Sequence, residues 1–377
     1  LSAETWLRRI LVPFLLTRAA LLAVGFLALG LLGSARPSMP GNLVAHESVA
    51  APLEIWARWD SEWYLLIARH GYQVGDQLRN YSVRYHDEDA AGFFPLYPAL
   101  LGALDHLGLP AVLAGILLSN AALLLALTLL YLLSLAEWDE SAAANSVWML
   151  LGFPFSLFLS AVYAESLALA LILASFYLAR HQRWGALAAC GFLCALTRPT
   201  ALLAAPALAW EVRERRGGWR GAAALLGFPA GLAAFSGYCA VEFGNPLIWA
   251  ERQQRWRGDV SGPWQAFLRF CESKPQLHGA HNSILELITA VLLLSALVPV
   301  LRRTPRSWGT FALLSLLVPL SSTLWSFGRL SLVAFPIFAW LGAWARRDAF
   351  RLPAYLGVTL PLGGFLMALF ACGWWAG

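Results

Sequence analysis

The sequence predicts an all-α, polytopic integral membrane protein, and three observations carry that prediction. Of 377 residues, 59% are hydrophobic and 13% are charged, whereas a soluble domain carries about 25% charged residues. Apolar runs recur at crossing length: residues 110–135 form one, and about 20 residues suffice to span a bilayer. Arg18 apart, the arginines sit between these runs or at their ends, as membrane topology requires. A soluble globular chain and a disordered chain are both excluded.

Eleven spans follow from the apolar runs, at 8–32, 110–135, 142–161, 163–181, 184–197, 199–213, 219–243, 283–301, 308–325, 330–346 and 353–373. The first carries Arg8 and Arg9 ahead of an apolar stretch too long for a cleaved signal, so it reads as an uncleaved helix. The two short spans meeting at Arg198–Pro199 read as half-length helices, because proline breaks a helix at the residue before it. Gly227-x-x-x-Gly231 reads as a helix-packing pair. Two polar segments interrupt the spans, 34–109 and 244–282. Residues 93–108 are short, with two prolines and Asp105, and are expected to lie along the membrane surface. The whole of 1–377 then reads as one transmembrane domain with two loops carrying juxtamembrane helices.

Five arginine clusters test the orientation: Arg8/Arg9, Arg180/Arg183, Arg213/Arg215/Arg216/Arg220, Arg302/Arg303/Arg306 and Arg346/Arg347/Arg351. All five share one side if 93–108 does not cross. That side is cytoplasmic. A plasma (inner) membrane protein results, with a cytoplasmic N-terminus and both polar segments outside. Many of the 18 tryptophans fall near span ends, as an interfacial belt would.

Several function classes drop out. Only one of the 27 basic residues is lysine, Lys274, and no Gly-x-x-x-x-Gly-Lys-Ser/Thr occurs, so no Walker-type ATPase is encoded. The net charge of +5 is spread between spans, so a nucleic-acid partner is not expected. The five cysteines show neither a disulfide framework nor zinc spacing.

Polar residues at the membrane edge are functional candidates by default. With this topology Asp60, Glu62, Tyr163, Glu165, Arg198, Gln253, Trp256 and Arg329 all fall on the outer side, from distant parts of the chain. Asp60 sits in Trp59-Asp60-Ser61-Glu62-Trp63-Tyr64, where it reads either as the N-cap of the next helix or as a carboxylate base between aromatic walls. Glu62 reads as a substrate-binding residue, against a carboxylate with no neighbouring base that is solvated on the outer helix face. Tyr163 and Glu165 read as site-lining, against a belt aromatic and a helix cap. Arg198 and Arg329 read as phosphate ligands, against arginines reaching to lipid headgroups. Trp256 is a sugar-stacking platform or an interfacial anchor, and Arg18 within the first span must pair internally or reach a headgroup.

These motifs carry a resemblance. Trp59-Asp60-x-Glu62-x-Tyr64-Leu65-x-Ile67-Ala68-x-x-Gly71-Tyr72, then Gly92-Phe93-Phe94-Pro95-Leu96-Tyr97-Pro98, is similar to the GPI mannosyltransferase II (PIG-V) family and its bacterial relatives. So are Phe153-Pro154-Phe155-Ser156, Tyr163-Ala164-Glu165-Ser166, Thr197-Arg198-Pro199, Gln253-x-x-Trp256 and Gly328-Arg329, in the same order. Pro199 and Thr200 depart from the family's Ser-Asn. The resemblance implies the GT-C glycosyltransferase fold and transfer of a sugar, mannose by default, from a polyprenyl-phosphate donor. Asp60 would be the key acid, and the acceptor a glycan, glycolipid or protein.

The residues read independently agree with such chemistry. A lipid-linked donor enters from the bilayer, and phosphate departs without a general acid. Transfer to a hydroxyl then needs one base, Asp60, and cationic help for the phosphate from Arg198 or Arg329. Attack opposite the phosphate would invert the anomeric centre. The alternatives are the same fold moving a different sugar, or a lipid or glycolipid transporter, although the inverted repeats of a transporter are not seen. No metal site is expected. The cluster His86-Asp87-Glu88-Asp89 has oxygen ligands for a divalent cation but reads as a solvated acidic loop, and His278-x-x-His281 lacks a third ligand.

Overall fold

The computed structural model describes residues 1–33, 51–74 and 87–377. Among these residues the protein is helical, with one isolated β-bridge between Gln276 and Ser283. In chain order the helices are α1 (Ala3–Leu32), α2 (Ser61–His70), α3 (Leu96–His106), α4 (Ala111–Glu137), α5 (Glu140–Leu151), α6 (Glu165–Arg180), α7 (Trp184–Ala195) and α8 (Ala204–Glu214). They continue as α9 (Gly218–Phe243), α10 (Ile248–Arg257), α11 (Gln265–Glu272), α12 (Ile284–Arg303), α13 (Arg306–Leu320), α14 (Phe335–Ala345) and α15 (Arg351–Ala371).

Five of these, α1, α4, α9, α12 and α15, are long and apolar enough to cross a membrane. The chain is in this respect a membrane-embedded, polytopic protein. A sixth apolar pair, Phe327–Val333 with α14, is bent by 80°. The ends follow local chemistry. The Asp139 carboxylate accepts from Ala142 N–H at 2.8 Å to start α5, and the Ser283 hydroxyl accepts from Glu286 N–H at 3.2 Å to start α12. Each satisfies an orphan donor of a first turn.

The arginine clusters gather at one end of the bundle. Arg9 of α1 donates to Glu140 at 3.1 Å, and Arg346 at the end of α14 pairs with Asp139. Arg180 at the end of α6 pairs with Glu137 and, at 3.5 Å, with the buried Glu211 of α8, which also accepts from Ser307 at 2.7 Å. The guanidinium of Arg180 lies 4.9 Å over the Trp308 ring. Acids at 137–140 and 211 thus neutralise part of the basic end and tie the helix ends together. The starts of α6 and α12 and the ends of α13 and α15 lie at the opposite end, with the polar candidates.

Two expected spans differ in form. The run 142–161 is not one helix: α5 stops at Gly152, and a tight 3₁₀ turn, Pro154–Leu159, follows. Pro154 cannot donate, which ends the α-helical ladder. The run 330–346 is the bent pair, with Pro336 just after the bend. The spans 184–197 and 199–213 are the short α7 and α8 joined by a 3₁₀ turn at Pro199–Leu203, the half-length form expected. Within 93–108, α3 packs on α2, and Leu96 N–H reaches across to the Leu196 carbonyl at 3.0 Å.

The break after α5 explains Arg18. Its Nη1 donates to the Ser156 carbonyl at 2.8 Å and to Ser160 Oγ at 3.2 Å, and its Nη2 to Ser156 Oγ at 3.2 Å and the Leu151 carbonyl at 3.4 Å. A charge inside a span is therefore spent on carbonyls and hydroxyls that a broken helix leaves over. The Gly227–Gly231 pair lets α9 approach α7: a Cβ there would lie 2.1 Å from the Ala188 carbonyl oxygen and 2.3 Å from that of Phe192.

Replacing Arg18 by Met fills the volume but strands these acceptors. We expect a loss of about 2 kcal/mol, seen as a lower unfolding temperature in detergent. Arg8→Met, at an exposed pair with Glu4, should leave that temperature unchanged.

Candidate functional site

The site is built on two turns that share a rare backbone feature. Trp59 (φ 59°) precedes Asp60, and Ser326 (φ 62°) precedes the turn Phe327–Leu330. Both lie in the left-handed region, which costs a non-glycine residue about 1–3 kcal/mol. Each must be held by its surroundings. The Tyr163 hydroxyl spans the first turn, donating to the Arg58 carbonyl at 3.0 Å and accepting from Asp60 N–H at 3.1 Å. At the second, Glu286 accepts from Gly328 N–H at 2.7 Å.

Asp60 occupies the N-cap position of α2, yet its side chain makes no capping bond. The carboxylate turns instead to Arg329, whose Nη1 donates to Oδ2 at 2.6 Å. Arg329 Nε lies 3.6 Å from Glu165, and Glu165 also accepts from Arg198 Nη2 at 2.5 Å. Glu165 is 1% exposed at its side chain, Arg329 10% and Asp60 30%. The acid that binds both arginines is thus sealed behind them, and the acid they leave accessible is Asp60. The Arg329 guanidinium also lies 5.0–5.5 Å over the rings of Trp375, Tyr163 and Phe158. Aromatic faces attract a cation held this way.

Asp60, Arg198 and Arg329 open onto one cavity of about 1290 Å³. Its walls include Trp59, Trp63, Trp249, Trp256, Trp325 and Trp375, together with apolar residues of α13 and α15 such as Val318, Phe365 and Leu369. That volume exceeds the 300–1,000 Å³ of ordinary small-molecule pockets. Gln253 and Trp256 also line it. Gln253 Nε2 donates to the Gly92 carbonyl at 2.7 Å, and Trp256 packs on Trp63 and Phe93 with centroids at 6.3 and 5.4 Å. Both residues therefore fasten α10 to the segment around Gly92.

Seven of the eight residues singled out from sequence come together here, in two ranks. Asp60, Arg198, Gln253, Trp256 and Arg329 line the cavity, while Tyr163 and Glu165 stand behind and hold them. Glu62 is different. It is buried on α2 at 9% exposure, not solvated, and is not a lining residue, because the burial pattern of α2 turns that side into the protein.

Two residues were not anticipated, Arg257 in the cavity wall and Glu286 behind it. Glu286 is an acid inside a predicted span, a signal visible in the sequence. Arg257 carries no such mark, being one polar residue among many in 244–282, and His278, marked only by its spacing from His281, also lines the cavity. His278 bonds the Trp375 carbonyl at 2.9 Å; since a carbonyl only accepts, Nε2 carries the hydrogen. His281 lies instead 3.5 Å from Ser273 Oγ. In the acidic segment, His86 lies outside the described residues, while Glu88 and Asp89 pair with Arg252, and Asp89 with Arg255 at 2.9 Å. Among the described residues no group of three or more His, Cys, Asp or Glu could hold a metal ion.

No family model and no curated protein matches the chain.

Two outcomes follow from this geometry. Tyr163→Phe removes both bonds across Trp59, so it should cost about 1–2 kcal/mol and speed hydrogen exchange at the amides of 58–62. Burial pushes His278 below its ordinary 6.5. The unfolded chain then takes up the proton first, so its contribution is whole above about pH 6.5 and lost as pH falls toward the lower, folded value. His278→Gln should flatten the dependence of unfolding temperature on pH between 5 and 7.

Proposed function

We propose that this protein is an inverting glycosyltransferase of the GT-C type. It moves a sugar, mannose by its resemblance to the GPI mannosyltransferase II family, from a polyprenyl-phosphate sugar to a hydroxyl of an extracytoplasmic acceptor. The observation that carries the reading is the pairing of one accessible carboxylate with arginines on the wall of a large aromatic cavity. A hydrolase would call for a second working carboxylate; transfer from a phosphate leaving group needs only one base.

In this reading the Asp60 carboxylate has Oδ2 held by Arg329 and offers Oδ1 to the acceptor hydroxyl. Asp60 takes the hydroxyl proton as the oxygen bonds the anomeric carbon. The carbon–oxygen bond to phosphate breaks, and its electron pair leaves with the phosphate. The leaving group is anionic already and needs positive charge, not a proton, which the arginine wall supplies. The tryptophan faces suit the sugar, presenting broad apolar surface with a polar edge. The apolar residues of α13 and α15 suit an isoprenoid tail arriving from the bilayer.

The membrane arrangement fits the same reading. Eleven crossings, two of them half-length at Arg198–Pro199, put the arginine clusters in the cytoplasm. The cavity is then on the outer face of the plasma membrane, where no nucleotide-sugar motif is required. A glycan, a glycolipid or a protein can be the acceptor there.

Purified protein should transfer labelled mannose from polyprenyl phosphate mannose. Asp60→Asn should lower that rate by about 10²–10⁴-fold, with the variant still folded because the amide oxygen can accept from Arg329 Nη1 in place of Oδ2. Absence of transfer by the parent protein, with Asp60→Asn behaving like the parent in cells, refutes the assignment.

A further inference from the structure

The arginines of the cavity differ in how their charge is met. Arg198 is paired with Glu165, and Arg329 with Asp60 and Glu165. Arg257, the last residue of α10, lines the same cavity and has no carboxylate within 4.0 Å among the described residues. Its guanidinium is held by neutral groups alone. Nε donates to Ser322 Oγ at 3.3 Å, Nη1 to the Trp325 carbonyl at 3.0 Å, and Nη2 to the carbonyls of Pro319 and Thr323 at 3.1 and 3.4 Å. A guanidinium has five N–H donors, so one N–H of Nη1 is left over. Arg269 fixes the backbone behind it, donating to the Arg257 carbonyl at 2.9 Å.

This arrangement costs free energy and keeps it stored. A cation withdrawn from water needs an anion nearby. Arg198 and Arg329 add repulsion, while Glu286 adds attraction from beyond ion-pair distance and is already engaged with Gly328 N–H. Burial pushes Arg257 down to about 10, so it stays charged near neutral pH. Carbonyls at the end of α13 orient the fork toward the cavity without neutralising it.

We infer that Arg257 is the residue that receives the phosphate of the lipid-linked substrate, its charge being the one in the cavity wall that no acid among the described residues meets within 4.0 Å. Arg198 and Arg329, already neutralised, then shape the wall and hold Asp60, and the incoming phosphate completes the charge balance. This assignment rests on the glycosyltransferase reading for the identity of the lipid, but not for the presence of an anion site.

The test is binding, which separates it from transfer. Purified protein in detergent is titrated with a long-chain polyprenyl monophosphate, with the matching uncharged polyprenol, and with phosphatidylglycerol as competitor. The parent should prefer the phosphate over the alcohol and resist the competitor. Arg257→Gln should lose that preference by about 10–100-fold with polyprenol binding unchanged, and Arg257→Lys, which keeps the charge, should retain part of it. Arg255→Gln, at the Asp89 pair away from the cavity, should bind as the parent does. An unchanged preference in Arg257→Gln overturns the inference. So does competition by phosphatidylglycerol at equal strength, which would assign the site to headgroups. If Arg257→Gln loses both ligands through misfolding, Arg257→Lys decides: a phosphate preference equal to the parent's, with polyprenol bound as before, overturns the inference, and a weakened one supports it. Failure of transfer alone, with these binding results intact, would count against the enzyme reading and not against the anion site.

Discussion

A guanidinium can be taken out of water only if anions and electron-rich faces replace what water supplied, and Arg329 gathers both. It holds Asp60 on one side, approaches Glu165 on another, and lies over three aromatic rings. These partners come from the loop before α2, the turn before α6, the 3₁₀ turn after α5 and the segment after α15. Fixing this one side chain therefore fixes the mutual position of four remote pieces of chain. A buried pair of this kind is weak evidence for stability, because its desolvation offsets its attraction. What it secures is geometry: a carboxylate held at one oxygen and open at the other.

Backbone strain serves the same geometry. Trp59 and Ser326 both adopt left-handed conformations one to three residues before Asp60 and Arg329. Each strained turn is clamped by a buried polar side chain, Tyr163 for the first and Glu286 for the second. Strain that the surroundings over-determine is common where side chains must meet at one point. At the far end of the bundle Gln182 and Arg216, each at φ 54°, are left-handed too, in the turns that follow α6 and α8. Arg180, Arg346 and Arg9 meet Glu137, Asp139, Glu140 and Glu211 at ordinary helix ends. Charge there ties helices together; charge at the cavity is held in a form a ligand can meet.

Much of the site was legible because charge is scarce. With 13% charged residues, each outer acid or arginine invites a reason for its presence, and Asp60, Glu165, Arg198 and Arg329 do meet in space. Glu62 misled because the lack of a neighbouring base does not tell which face of α2 is turned inward. Arg257 was missed, and His278 was weighed only as half of a metal pair, because in a polar segment nothing local separates a cavity residue from a solvated one. Glu286 was visible as an acid in a span, yet its partner, a backbone N–H at Gly328, leaves no trace in composition.

The order of apolar runs, the all-helical class, the broken joint at Arg198–Pro199 and the grouping of the arginine clusters follow from the sequence, since length, hydropathy and proline act locally. The tertiary structure alone decided that the run 142–161 is a helix and a 3₁₀ turn rescued by Arg18. It also decided that Asp60 turns from capping to Arg329, and that Arg257 has no acid within ion-pair distance among the described residues. Those are questions of which distant groups share a charge in a space that water has left, and sequence spacing carries no measure of that.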